Sequence, residues 1–167
     1  MSSAKLRNSI LAARDSRQEL LDKQFTGGCP VSIFLSLNIP GENKNPAGSE
    51  ALFAWALDRL KDTFPDLVML ADGVDPLGPY ALLAHSQEAR LVKLRCVALE
   101  TSHPAARLID LDVYDSHGLQ FGRSALSLPP RPCLVCHHPA VDCIRLGRHS
   151  LEEVAGRALR LLTGFKF

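Results

Sequence analysis

The stretch Arg107-Leu-Ile-Asp-Leu-Asp-Val-Tyr-Asp115 sets Asp110 and Asp112 two positions apart in an alternating run. As a strand it turns both carboxylates to one face and Ile109, Leu111 and Val113 to the other, into a core. Neighbouring carboxylates repel each other unless a cation, a proton or solvent relieves them. A pair so presented suits Mg²⁺, which binds through one or two carboxylates plus substrate phosphates and keeps several waters. It equally suits a solvated strand face. Glu100 and His103 lie just upstream, and Arg107 opens the run. A carboxylate, an imidazole and a guanidinium beside an acidic pair describe a place where charge is handled. In the plainer reading Arg107 only neutralises an aspartate, and its loss would damage the fold rather than an activity.

Two further constellations stand apart from this strand. Lys44, in the Gly-containing loop "PGENKN", offers an ammonium and backbone N–H groups to a phosphate, or is simply solvated. Cys133-x2-Cys136-x6-Cys143-x5-His149 has the ligand types and short spacings of a compact tetrahedral zinc site. His137 and His138 compete for the fourth place, and small buried thiols are the alternative. Arg123, Arg131, Arg145 and Arg148 add positive charge to the same region. No Walker signature and no Gly-x-Ser-x-Gly elbow occurs, which sets aside P-loop NTPases and α/β-hydrolases.

The elements that must position these groups follow from periodicity. Leu6, Ile10, Ala13, Leu20 and Leu21 predict a helix from Ser3 to about Gln24, with Arg14, Arg17 and Gln18 on another side. Val31 to Asn38 reads as a buried strand. Asn45-Pro46 supplies an N-cap and first residue for a helix burying Phe53, Ala56, Leu57, Leu60 and Phe64. "DLVMLADG" and "GPYALLAH" are strands joined by the turn residues of "DGVDPLG", and Gln87 to Leu99 is helical. The strand Leu108 to Tyr114 follows His103-Pro104, where proline discourages a continuous helix. The core order strand, helix, strand, strand, helix, strand is the ferredoxin-like one, an antiparallel sheet covered by helices. Beyond it comes a loop-rich Cys/His appendage closed by a helix, with a Ser150–Glu153 capping box and Gly164 at its end. The expected class is therefore α+β, with residues 1–167 as one domain.

Composition narrows the partners. With 46% apolar and 22% charged residues the chain reads as globular, and its net charge of +1 gives no overall pull towards nucleic acid or membrane. No apolar run approaches the ~20 residues that cross a bilayer, and the polar start "MSSAKLRNSI" lacks a signal-peptide core. A cytoplasmic location is expected, where the five cysteines are thiols or metal ligands rather than disulfides.

The segments "ETSHPAARLIDLDV" and "SLPPRPCLVC", then Cys143 and His149, resemble the citrate lyase holo-acyl-carrier-protein synthases, or apo-citrate lyase phosphoribosyl-dephospho-CoA transferases. The resemblance extends upstream through "RDSRQELLDKQ" and "IPGENKN", more loosely from Lys44 to Lys93. It implies nucleotidyltransferase-like chemistry and a nucleotidyltransferase-like fold. A serine of the acyl-carrier subunit of apo-citrate lyase attacks the α-phosphorus of 2′-(5″-triphosphoribosyl)-3′-dephospho-CoA, and diphosphate leaves. On that footing Asp110 and Asp112 hold Mg²⁺, and Glu100 is a third metal-binding carboxylate or the base. His103 is the competing base. Lys44, Arg107 and Arg131 clamp phosphates, with Arg14 and Arg17 as further candidates. A zinc ion on Cys133, Cys136, Cys143 and His149 would be structural. The rivals are an enzyme loading another acyl carrier, such as that of malonate decarboxylase, and a non-catalytic carrier-binding module. A nucleic-acid binder of ferredoxin-like fold fits least, for want of net charge and of a stacking aromatic pair.

Overall fold

A computed structural model describes residues 3–166. Its centre is a four-stranded antiparallel sheet built from β1 (Val31–Leu37), β2 (Val68–Asp75), β3 (Gly78–His85) and β4 (Ile109–Asp115) in the order β2-β3-β1-β4. α2 (Ser49–Thr63) joins β1 to β2, and α3 (Ala89–Thr101) joins β3 to β4. The expected strand–helix–strand–strand–helix–strand order of the core is therefore present. No helix among the described residues is long and apolar enough to cross a membrane.

The central strand β1 is apolar on both faces because both are covered. Ile33 and Leu35 enter the main core with Leu52, Ala56 and Leu60 of α2 and Val92 and Cys96 of α3. Phe34 and Leu82 face the other way and pack on Leu21 of α1 (Ser3–Thr26). α5 (Leu151–Thr163) closes the chain and buries Ala158, Leu161 and Leu162. Each such leucine contributes about 1.5–3 kcal/mol, enough to fasten the appendage to the core. β4 alternates as expected: Ile109, Leu111 and Val113 are fully buried, and Asp110 and Asp112 share the α1 face. In register Asp110 lies opposite Ser36, and Asp112 opposite Phe34.

Several boundaries differ from expectation for identifiable reasons. α2 starts at Ser49, not Pro46: Pro46 accepts from Ser49 N–H in a turn that passes through Gly48 at φ 92°. A Cβ there would stand 3.2 Å from the Leu162 carbonyl oxygen, so α5 dictates both the glycine and the late start. The buried stripe of α2 is consequently Leu52, Ala56 and Leu60, with Phe53 and Leu57 only half-buried. β2 runs through Asp75, in what reads as turn, because Arg17 of α1 grips the Asp75 carboxylate at 2.7 Å and the Gly78 carbonyl at 2.9 Å. α3 spans Ala89–Thr101 rather than 87–99, and the appendage holds an unexpected short helix, α4 (Ala140–Leu146).

Gly78 joins this hairpin to the Lys44 loop. Its φ is +97°, and a Cβ would come within 2.7 Å of the Lys44 carbonyl oxygen. Gly78→Ala combines that clash with a left-handed backbone. It should cost about 1–3 kcal/mol, and each kcal/mol lowers the melting temperature by about 2–4 °C in a domain of this size. Calorimetry of both proteins checks it; an unchanged melting temperature would mean that the loop does not pack on the hairpin.

Candidate functional site

β4 is an edge strand, and its outward backbone groups need partners. α3 and the loop after it supply them. Leu111 N–H donates to Glu100 Oε1 at 3.1 Å, Lys93 Nζ donates to the Leu111 carbonyl, and Arg131 Nη2 donates to the Ile109 carbonyl at 2.9 Å. Lys93 and Glu100 are seven residues apart on one side of α3, which places both against β4. Glu100 is 2% exposed and sits among three cations: Arg131 Nη2 at 2.6 Å, Arg123 Nη2 at 3.2 Å and Lys93 Nζ at 3.9 Å. Arg131 also reaches Asp110 Oδ1 at 3.2 Å, linking the buried glutamate to the acidic pair.

Beside this network lies a cavity of about 750 Å³. Lys44, Arg107, Arg123 and Arg131 line it, with Glu100 as the one carboxylate of the lining. Lys44 Nζ donates to the Ile39 carbonyl at 2.8 Å, and burial followed by the charge of Arg14 holds its pKa below the ordinary value. Arg107 donates to the carbonyls of Pro132 and Cys133, and burial, then Arg157, depresses it likewise. Cations thus gather at the end of the sheet where β1 finishes and β4 begins.

The acidic pair flanks the cavity rather than lining it. Gln120 Nε2 donates to Asp112 Oδ1 at 2.7 Å. Burial, and next the neighbouring Asp110 charge, push the Asp112 carboxyl up to about 6. Burial is the larger cause; the Asp110 charge adds the repulsion that the alternating strand foretold, which a cation between the two carboxylates would relieve.

Other candidates take different places. His103 caps the 3-10 turn Pro104–Leu108, its Nδ1 accepting from Ala105 N–H at 3.1 Å, with its ring against Trp55 and Phe165. It does not line the cavity. Arg17 is engaged by Asp75 and lies over the Tyr80 and Phe34 rings at 4.8 and 5.6 Å. Arg14 is exposed, near enough to Lys44 to act on its charge. Arg123, Lys93 and Gln120 complete the network. Arg123 stood out in the sequence only as part of a diffuse positive charge. Lys93 carried a signal, its heptad relation to Glu100, and Gln120 carried none.

The cavity wall also includes Cys133, Cys143 and His149. With Cys136 these residues form a candidate metal centre: the ligand atoms of all four lie within 4.8 Å of one another. Cys136 Sγ is 3.4 Å from Cys143 Sγ and 3.2 Å from His149 Nε2. Ligands at zinc distances of about 2.0–2.3 Å in a tetrahedron stand ~3.5–3.8 Å apart, so small shifts of these side chains would seat the ion. Val135 N–H donates to Cys133 Sγ, and Glu153 Oε2 lies 3.3 Å from His149 Nδ1, leaving Nε2 for a metal. Burial opposes the Cys133 thiolate, but the N–H groups of Val135 and Cys136 outweigh it and draw the pKa down. Burial and the adjacent thiols push Cys143 up to about 12, as crowded sulfurs without a cation should behave. His137 and His138 are exposed and outside the cluster, so His149 fills the fourth place.

A sheet-and-helix protein with an acidic pair beside a cationic cavity and a Cys/His centre in its wall has the equipment to handle phosphorylated ligands. Residues 6–164 match the family of apo-citrate lyase phosphoribosyl-dephospho-CoA transferases, and the chain belongs to that family. It is 40% identical over 157 residues to the apo-citrate lyase phosphoribosyl-dephospho-CoA transferase of Escherichia coli O1:K1, covering 92% of this chain and 86% of that protein. It is 32% identical over 168 residues to protein CitXG of Leuconostoc mesenteroides subsp. cremoris, and 31% over 163 residues to protein CitXG of Haemophilus influenzae. Those matches cover 96% and 95% of this chain but only 36% and 35% of the CitXG proteins. The chain thus spans about a third of their length.

Proposed function

We propose that residues 1–167 act as one cytoplasmic catalytic domain that loads the acyl-carrier subunit of apo-citrate lyase. The donor is 2′-(5″-triphosphoribosyl)-3′-dephospho-CoA. The serine oxygen bonds to the α-phosphorus, the α–β phosphoanhydride bond breaks, diphosphate leaves and the serine proton is released. This is nucleotidyltransferase chemistry. The observation that carries the reading is the Asp110–Asp112 pair standing beside a cavity lined by four cations, in a member of this family.

Asp110 and Asp112 are the residues that would hold Mg²⁺, and the raised Asp112 pKa is what an oxygen-ligated cation would relieve. When bound, the ion would neutralise charge developing on phosphate oxygens. Lys44, Arg107 and Arg131 bind the phosphates from the cavity side, and Arg14 adds field near Lys44. Arg17 shapes the sheet end through Asp75 rather than meeting the donor. Neither residue considered as base is set as one. His103 caps a turn away from the cavity, and both Glu100 oxygens are taken by guanidinium groups. Cys133, Cys136, Cys143 and His149 would hold zinc with four protein ligands, and its role there would be structural.

Incubation of apo citrate lyase carrier with this protein, Mg²⁺ and the donor, followed by mass spectrometry, tests the reading. The carrier should gain the mass of the donor less diphosphate. No gain, with carrier and donor shown competent with another synthase, overturns it.

A further inference from the structure

We propose that Arg123 is a substrate-binding residue and Glu100 a positioning residue: Glu100 holds Arg123 and Arg131 side by side as a two-guanidinium clamp for a phosphate or diphosphate group. The identity of that group as part of a triphosphoribosyl donor rests on the reading above; the anion site does not.

The two oxygens of one buried carboxylate face different arginines, Oε1 towards Arg131 at 2.6 Å and Oε2 towards Arg123 at 3.2 Å. The arginines come from separate segments, one beside the 3-10 turn Ser124–Leu126 and one from the Pro-rich loop, and Glu100 is the carboxylate they share. Glu100 is itself fixed by Leu111 N–H and by Lys93, on the edge of β4. A carboxylate occupied in this way sets the direction of its cations and has no free oxygen for a metal or a proton in transit.

Charge identifies the ligand class. Four cations line the cavity against the single carboxylate Glu100, in a chain whose net charge is only +1. Lys44 and Arg107 are partly engaged with backbone carbonyls. Arg123 spends one guanidinium nitrogen, Nη2, on Glu100 Oε2. Two planar guanidinium groups side by side match the several equatorial oxygens of a phosphate, which they bind in bidentate fashion.

The test uses inorganic diphosphate as the probe on the whole protein, by titration calorimetry, together with steady-state transfer kinetics. Arg123→Ala should weaken diphosphate binding about ten- to a hundredfold, the loss expected for a charge-assisted contact, and raise the donor KM. Arg123→Lys should recover part of it, because lysine keeps the charge but not the fork. Glu100→Gln should weaken diphosphate binding and raise the donor KM more than it lowers kcat. Wild-type diphosphate affinity in folded Arg123→Ala, or in Arg123→Lys should the alanine variant not fold, overturns the clamp. So does a collapse of kcat in Glu100→Gln with donor KM and diphosphate affinity unchanged, the pattern of a general base. Diphosphate binding that depends on Arg123, without transfer to the citrate lyase carrier, sustains the clamp and removes the transfer reading alone. Transfer that proceeds equally well in Arg123→Ala does the reverse.

Discussion

Asp112→Asn should raise the melting temperature of the metal-free protein at neutral pH and remove the proposed transfer activity. The Asp112 carboxyl titrates near 6 in the fold against an ordinary 3.8, because burial and Asp110 penalise its charged form. A folded-state pKa above the unfolded value means that ionisation costs stability. The cost is absent below pH 3.8, grows as pH rises, and is complete above about 6. Each unit of difference is worth about 1.4 kcal/mol, so the penalty at neutral pH is on the order of 1–3 kcal/mol. Asparagine keeps an oxygen for Gln120 Nε2 and deletes the charge. A gain of roughly 2–12 °C should follow, fading as the pH falls towards 4. The same change takes one of the two carboxylates from the proposed Mg²⁺ site, and transfer should fall at least about a hundredfold, the scale of losing one electrostatic contact to the transition state. Calorimetry across pH and the carrier mass assay read the two effects. A lower melting temperature would show that Asp112 is a stabilising charge and not a strained one, and retained transfer with Mg²⁺ present would refute the metal assignment.

How much of this was legible in the sequence depended on the range of the interaction. Period-two alternation gave β4 its faces, so the juxtaposition of Asp110 and Asp112 was visible from seven residues. The sheet order followed from the succession of strands and helices, because few topologies accommodate it. The Cys/His spacing was legible because its four ligands fall within 17 residues and close around one point. What failed was set by distant neighbours. Asn45-Pro46 is a sound local start signal, yet the Leu162 carbonyl requires a left-handed Gly48 and delays α2. The turn residues around Asp75 stay in a strand because Arg17, 58 positions away, holds them there. His103 looked like a base because histidine titrates near neutrality, but Ala105 N–H and an aromatic pocket had already engaged it. Glu100 looked like a metal ligand or base because it lies just upstream of the acidic pair. Its partners Arg123 and Arg131 arrive from 23 and 31 positions further on, and no periodicity announces such a meeting.

Removing the metal from the Cys/His centre, proposed above to be zinc, should dissolve the cavity wall while leaving the sheet intact. The four ligands would tie the Pro-rich loop, α4 and the residues just before α5 to one point. A backbone bridge between Pro132 and Pro139 and the donation from Cys133 N–H to the His138 carbonyl fold the loop back on itself. Ile144 and Leu151, by contrast, are largely exposed and contribute little burial. Apparent binding energies of structural zinc sites are about 10–16 kcal/mol, much more than this short segment could recover by other means. The purified protein should therefore carry one zinc per chain, and Cys143→Ser should lose it. After chelation, amide exchange should accelerate through residues 131–149 while β1 and β3 stay protected. Because the thiols must lose protons to bind, zinc affinity should also weaken as the pH is lowered. Arg107 rests on the Pro132 and Cys133 carbonyls, and Arg131 is at the loop's entrance. Diphosphate binding should consequently fall with the metal. Cobalt in place of zinc should restore both exchange protection and diphosphate affinity, with the absorption of a tetrahedral thiolate-bound ion. A folded protein with less than stoichiometric zinc after gentle purification, or a Cys143→Ser variant with full metal content, would end the assignment. Unchanged diphosphate affinity in the metal-free protein would instead detach the centre from the cavity and leave it as a local staple.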